Sequence, residues 1–79
     1  MDYSQFVAWL EAKGLNKDSS RDVLSRYKRG LALVGQKPKL LDETIFLLKR
    51  NTQFKTLSGP VQSQLKRAFT LYDEFINRR

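Results

Sequence analysis

Cysteine and histidine are both absent from this chain of 79 residues. Without cysteine it can form neither a disulfide nor a thiolate metal site, and without histidine it lacks the commonest metal ligand and general base. The chain also has no phosphate-cradling glycine loop and no cluster of metal-ligating residue types. The carboxylate pairs Asp42-Glu43 and Asp73-Glu74 are neighbours on predicted helices, so the two members of each pair point in divergent directions. We therefore expect no enzymatic activity, no cofactor, no metal and no small-molecule substrate.

Long apolar runs are also missing. No run approaches the ~20 residues that a membrane-spanning helix needs, and the first residues do not follow the basic, apolar, small-residue order of a signal peptide. The chain has no low-complexity segment, no repeat at a solenoid period and no linker long enough to separate two domains. We expect a single domain over residues 1–79 that does not bind membranes. It is expected in the cytoplasm, associated with the nucleoid if the source is bacterial.

Acidic residues are few relative to basic ones. Eight Asp and Glu stand against 15 Lys and Arg, which gives a formal net charge of +7, and an apolar content of 41% argues against disorder. A small folded domain with this charge suggests a polyanionic partner. The less favoured alternative is that the charge serves solubility alone, and composition leaves both interpretations open.

Strand signals are missing as well, because Val, Ile and Thr never alternate over a useful length. Apolar residues recur at helical spacing and predict an all-α fold of four helices, at about residues 3–13, 19–34, 41–50 and 59–77. Residues 51–58 have no clear period, and Phe54 and Leu57 are expected to fill the core from a loop or a short turn. The last helix is expected to bury one apolar stripe, made of Val61, Leu65, Ala68, Phe69, Tyr72, Phe75 and Ile76.

Capping residues mark the predicted helix ends. Ser4, Ser19 and Ser58 are the predicted N-caps, and Asp22 completes an acidic variant of the capping box after Ser19. The segment at residues 35–39 contains a glycine and a proline and is expected to break the chain between the second and third helices.

Two glycines and the tryptophan carry further predictions. Gly14 is predicted to end the first helix in a left-handed conformation. Gly30 lies inside the second helix, where it costs stability, and this predicts the close approach of another helix. Trp9 is interpreted as a partly buried core residue in preference to a residue that stacks on a ligand.

The outer faces of the second and fourth helices combine basic residues with Ser, Thr and Gln. These are the donor types that contact phosphates and, from a helix in a major groove, base edges. A basic helix face is more often merely solvated, but two such faces in one small domain favour an anion-binding surface. The residues concerned are Arg21, Ser25, Lys28 and Arg29 on the second helix, and Gln62, Ser63, Lys66, Arg67 and Thr70 on the fourth.

The chain resembles the N-terminal core-binding domain of tyrosine recombinases, the phage integrase family, whose fold is SAM-like. The resemblance lies in the order of the helices and their apolar spacing over essentially the whole chain. The segments that carry it are Phe6-Val-Ala-Trp-Leu, Gly14-Leu, Ser19-Ser-Arg-Asp-Val-Leu-Ser-Arg-Tyr-Lys-Arg-Gly-Leu, Asp42-Glu-Thr-Ile, and Ser58 leading to Val61-Gln-Ser-Gln-Leu-Lys-Arg-Ala-Phe-Thr-Leu-Tyr-Asp-Glu-Phe-Ile.

The resemblance implies a four-helix SAM-like bundle that holds one side of the DNA, with its second and fourth helices toward the major groove. It implies DNA contacts at Arg21, Ser25, Lys28, Arg29, Ser63, Lys66, Arg67 and Thr70. The separate catalytic domain of a recombinase, with its Arg, Lys, His and nucleophilic Tyr, has no counterpart here. Tyr3, Tyr27 and Tyr72 are interpreted as core aromatics.

The sequence therefore predicts a non-enzymatic module that binds duplex DNA. Lys and Arg would supply most of the affinity through phosphates, with Gln62, Ser63 or Thr70 near base edges. The alternative is a helical protein-interaction module that docks an acidic partner on the same basic faces. Binding to a membrane surface ranks third, because the basic faces lack flanking exposed apolar residues.

Overall fold

The computed structural model describes residues 3–35 and 41–77, and within these ranges the protein is helical with no strand. Five helices follow one another: α1 (Ser4–Ala12), α2 (Lys17–Val34), α3 (Leu41–Arg50), α4 (Thr52–Lys55) and α5 (Gly59–Ile76). The all-α prediction is confirmed. The prediction of four helices is not, because part of the segment predicted as a loop or turn forms α4. The predicted break at residues 36–39 lies outside the described residues.

Two of the predicted N-caps are wrong. α2 begins two residues earlier than predicted, because the Asn16 side chain accepts a hydrogen bond of 2.7 Å from the amide of Ser19. Ser19 thus lies inside the first turn and does not start a capping box with Asp22. In α1, Ser4 is the first helical residue, and Tyr3 occupies the cap position without a side-chain cap. The Tyr3 ring is partly buried and packs against the core.

The other helix ends agree more closely with those predicted from the sequence. The Ser58 hydroxyl accepts a hydrogen bond of 3.4 Å from the Val61 amide, which confirms it as the cap of α5. Gly14 follows α1 with a φ of 111°, and Gly35 follows α2 with a φ of 82°, so both take the left-handed conformation that favours glycine. α5 ends at Ile76, one residue before the predicted end.

α4 is a single turn that one polar residue fixes in place. The Asn51 side-chain oxygen accepts a hydrogen bond of 2.9 Å from the Phe54 amide and thereby caps the turn. Its side-chain nitrogen donates a bond of 2.8 Å to the carbonyl of Leu33, near the end of α2. Phe54 is buried and Leu57 is partly buried, which confirms that this segment fills the core.

The centre of the fold is the contact between α2 and α5. A Cβ atom built on Gly30 would lie 2.7 Å from Cζ of Phe69, so a side chain at this position would overlap the ring. This confirms the predicted close approach of a second helix. Tyr27, one turn earlier on α2, packs its ring 5.0 Å from that of Phe69 and 4.2 Å from that of Tyr72. α2 and α5 therefore share one layer of aromatic side chains.

α1 closes the other side of this aromatic layer. The Phe6 ring lies 4.9 Å from that of Tyr72 and 5.3 Å from that of Phe75. Trp9 is partly buried and packs against Phe75 at 5.7 Å, which confirms its interpretation as a core residue. The Lys13 ammonium lies 4.7 Å from the centre of the Trp9 ring. Aromatic side chains therefore join α1 to α5.

The buried stripe of α5 differs from the predicted one at two positions. Ile76 was expected in the core but is 51% exposed, whereas Leu71 lay outside the predicted stripe and is only 8% exposed. α5 packs against α1, α2 and α3, so its buried arc is wider than a helix with one neighbour requires. Ile76 lies in the last turn of α5, where its neighbours leave it uncovered.

Replacing Gly30 by alanine tests the α2–α5 contact. Alanine improves helix propensity by about 1 kcal/mol, but its methyl group overlaps the Phe69 ring, which Tyr27 holds in place. We expect Gly30→Ala to lower the free energy of unfolding by about 1–2 kcal/mol in urea denaturation. Gly59→Ala is the matched control, because no atom lies within 4 Å of the added Cβ. Equal or higher stability of Gly30→Ala would contradict the close contact.

The raised pKa of the Tyr27 phenol makes the free energy of unfolding depend on pH in the alkaline range. Burial, and then the neighbouring Tyr72 and Tyr3, raise its pKa above the ordinary value of 10.0. The folded state therefore keeps the proton that the unfolded state releases, and this contribution is complete below pH 10.0 and falls as the pH rises above it. We expect the free energy of unfolding to decline above that pH, and to decline less steeply in Tyr27→Phe. Identical slopes in the two proteins would contradict the shift.

Candidate nucleic-acid interface

α2 carries the largest excess of positive charge among the helices. It contains five basic and two acidic residues, whereas α3 and α5 each contain two of each. The basic residues of α2 are Lys17, Arg21, Arg26, Lys28 and Arg29. Within residues 3–35 and 41–77 these side chains form no ion pair. α2 therefore has an excess of three positive charges, and four of its five basic side chains are exposed.

The predicted contact residues of α2 all lie on its solvent side. Arg21, Ser25, Lys28 and Arg29 are exposed. With 3.6 residues per turn, they lie on the side of α2 opposite Tyr27 and Gly30, which are buried against α5. We call these four residues the α2 outer face. Its hydroxyl and cationic groups are the kinds that contact phosphates.

Lys17 extends the α2 outer face by one turn, and the sequence reading missed it. Helical spacing places it one turn before Arg21 on the same side of α2, and it is exposed. The prediction omitted Lys17 because α2 was expected to start at Ser19, and the signal that would have included it is the cap at Asn16. A lysine in the first turn opposes the helix dipole, so helix stability does not explain its position.

The predicted contact residues of α5 differ in their surroundings. Ser63, Arg67 and Thr70 are exposed, but Lys66 is half-buried. The Thr70 hydroxyl donates a hydrogen bond of 3.0 Å to the carbonyl of Lys66, one turn earlier in the same helix. Its proton is therefore already engaged, and the hydroxyl offers a ligand only its acceptor side.

Gln62 does not lie free on the outer face of α5, as the sequence suggested. Its side-chain nitrogen donates hydrogen bonds of 2.9 Å to the carbonyl of Leu57 and 3.1 Å to that of Phe54. These bonds tie the start of α5 to α4 and the turn that follows it. Its amide protons are used inside the fold and are not presented to a base edge.

The two predicted faces do not converge on one side of the molecule. Ser25 lies opposite the α2 residues that contact α5, and Arg67 lies roughly opposite Phe69 and Tyr72, the α5 residues that contact α2. Because α2 and α5 pack directly against each other through these inner residues, their outer faces point away from one another. One straight duplex cannot meet the centres of both faces at once.

Acidic residues also limit the positive surface of α5. Its second half contains Asp73 and Glu74, so the formal charges of the helix sum to zero, whereas those of α2 sum to +3. Glu74 accepts a hydrogen bond of 2.8 Å from the Lys13 ammonium, and these side chains remain 48% and 40% exposed. An exposed pair of this kind is worth only about 0–1 kcal/mol. The α5 surface is thus close to neutral, and α2 is the stronger candidate for an anion.

Metal sites and membrane-spanning helices were also sought among the described residues. Those residues contain no group of three or more carboxylate side chains that could hold a metal ion. None of the helices that the structure describes is long and apolar enough to cross a membrane.

Comparisons of the chain with protein-family models, with curated proteins and with solved structures give no match. The resemblance to the core-binding domain of tyrosine recombinases remains a prediction from the sequence.

The structural role of Gln62 can be tested by truncation. Gln62→Ala removes the side-chain donor to the Leu57 carbonyl and one of two donors to the Phe54 carbonyl, which keeps the Leu57 amide, so we expect the free energy of unfolding to fall by about 1 kcal/mol. Gln64→Ala is the control, because Gln64 is exposed and two residues away on the same helix, and its change should stay within about 0.5 kcal/mol. Equal changes in the two variants, measured by urea denaturation, would contradict the assignment.

Proposed function

We propose that this protein is a non-enzymatic module that binds duplex DNA, with the α2 outer face as its main contact surface. The observation that carries the proposal is the row of exposed basic residues on α2, which have no acidic partner among the described residues. The outward residues of α5, Ser63, Lys66, Arg67 and Thr70, would form a second contact surface. Assembly of several copies on DNA, or a tethered second domain, would let both surfaces be used.

The shape of α2 supports contact with a major groove. It has 18 residues, which correspond to a length of about 27 Å, and its inner side is fixed by the packing of Tyr27 and Gly30 on α5. A rigid helix with an exposed polar side fits the width of a major groove. Arg21, Lys28 and Arg29 would contact phosphates, and Ser25 lies between them at the most outward position.

The resemblance to the core-binding domain of tyrosine recombinases supports the same surface, because it implies that the second helix faces the DNA. The SAM-like fold that it implies is part of this proposal. The resemblance also implies contacts from the last helix, and the near-neutral charge of α5 makes these the weaker half of the interface.

Fluorescence anisotropy with a labelled mixed-sequence duplex at several salt concentrations tests the proposal. Each phosphate contact releases counterions, so log K should fall linearly with log salt, by about 0.9 per contact. We expect Arg29→Glu to weaken binding and to reduce this slope by about 1. Arg67→Glu should have a smaller effect, since it lies on the near-neutral surface of α5.

Lys55→Glu is the matched control, because it makes the same change in charge at an exposed position of α4. It should affect binding less than Arg29→Glu does. Equal losses in the two variants would mean that net charge, and not the α2 outer face, drives the binding. No binding to the duplex at low salt would reject the proposal. Thermal denaturation of each variant checks that the fold is intact.

A further inference from the structure

A shallow groove runs between α1 and α2 on the surface of the protein. Its volume is about 460 Å³. We call it the α1–α2 groove, and it is lined by Tyr3, Ser4, Val7, Ala8, Glu11, Arg21, Leu24 and Lys28. Two packed helices that leave such a channel between them can accept a third helix along it.

The chemistry of the groove differs between its floor and its two edges. Val7 and Ala8 of α1 and Leu24 of α2 provide apolar surface. Arg21 and Lys28 lie along the α2 edge, and Glu11 lies on the α1 side. A ligand that matches this lining has an apolar stripe and carries negative charge along one edge only.

The spacing of the two cations places both of them on one side of α2. Arg21 and Lys28 are seven residues apart on α2, which is about two turns or 10.5 Å. The Lys28 ammonium lies 5.3 Å from the centre of the Tyr3 ring, so an aromatic face helps to hold it at the edge of the groove. Neither cation forms an ion pair within the described residues. Both are available to a partner at positions that a helix can match.

We propose that the α1–α2 groove binds an acidic amphipathic helix from a partner protein. In this helix, carboxylates at positions i and i+7 would contact Arg21 and Lys28. Apolar side chains at i+1, i+4 and i+8, which lie to one side of the two carboxylates, would cover Val7, Ala8 and Leu24. α1 has nine residues, about 13.5 Å, and is long enough to accompany such a stretch.

Glu11 favours this occupant over a nucleic acid. A phosphate backbone that filled the groove would bring negative charge to Glu11 as well as to the two cations. A helix with acidic residues on one edge and neutral or basic residues on the other avoids that repulsion. The same difference in charge between the two edges of the groove fixes the rotation of the partner helix about its own axis.

The α1–α2 groove is a separate site from the DNA-binding surface, but two residues belong to both. Arg21 and Lys28 belong both to the α2 outer face and to the edge of the groove. A bound acidic helix would therefore compete with DNA for these cations. Ala8 lies in the groove but outside the α2 outer face, so a change there separates the two activities.

Two labelled helical peptides of about 14 residues test the proposal by fluorescence anisotropy. The first has glutamate at i and i+7 with leucine at i+1, i+4 and i+8, and the second has glutamine in place of both glutamates. We expect the first peptide to bind and the second to bind about tenfold more weakly. Amide shifts in the protein should cluster at Val7, Ala8 and Leu24.

The variant Ala8→Gln fills the groove with a neutral side chain on an exposed position of α1, where glutamine is a good helix former. It should weaken binding of the glutamate peptide about tenfold and leave DNA affinity unchanged. Arg21→Glu should weaken both, and circular dichroism confirms that each variant is folded.

Equal binding of the two peptides would overturn the proposal, as would unchanged peptide binding by Ala8→Gln. Amide shifts at Val7 and Ala8 on addition of duplex, with none on addition of the peptide, would assign the groove to nucleic acid and also overturn it. Failure of the protein to bind DNA at all would reject the proposed function and leave the peptide result as an independent outcome.

Discussion

The contact between Gly30 and the ring of Phe69 is the constraint on which the rest of the structure depends. The absence of a side chain at Gly30 brings the backbone of α2 against an aromatic ring of α5. This closeness lets Tyr27 pack against both Phe69 and Tyr72, and α1 then adds Phe6 to the same layer. A chain of 79 residues has little apolar surface to bury, so dense packing of large rings replaces a larger core.

The same contact decides where charge can lie. Because the inner sides of α2 and α5 are both filled with core residues, their polar sides must face outward and away from each other. The positive charge is then concentrated on α2, while acidic residues offset the charge of α5. α1 lies along the edge of the charged side of α2 and supplies the apolar wall of the neighbouring groove. One helix therefore contributes both to an anion-binding face and to an amphipathic channel.

Local patterns predicted much of the fold from the sequence. The bounds of α3 agree with its apolar spacing and charge order, Ser58 caps α5, and Gly30 marks the close helix contact. The start of α2 was missed because Asn16 and Ser19 are similarly good caps, and the structure shows the Asn16 side chain in the cap hydrogen bond. α4 was missed because a single turn is too short to show a period.

The candidate site was predictable only in part. Helical spacing alone identified the outward side chains of α2 that were predicted as contacts and most of those of α5, since the apolar stripes must be buried. It could not supply the relative direction of the two faces, which depends on how the helices pack. Nor could it show that Gln62 is engaged, because its hydrogen bonds go to carbonyls of another helix and a turn. The α1–α2 groove likewise arises from two separate segments and has no signature in either.

The position of Trp9 allows the packing of α1 against α5 to be followed by tryptophan fluorescence in solution. It is the one tryptophan of the chain, and it lies between the ring of Phe75 and the ammonium of Lys13, which also pairs with Glu74 near the end of α5. Its fluorescence therefore reports the junction between the first and last helices and not the α2–α5 centre. A red shift of the emission before helical ellipticity is lost would identify α1 as the first segment to detach during unfolding.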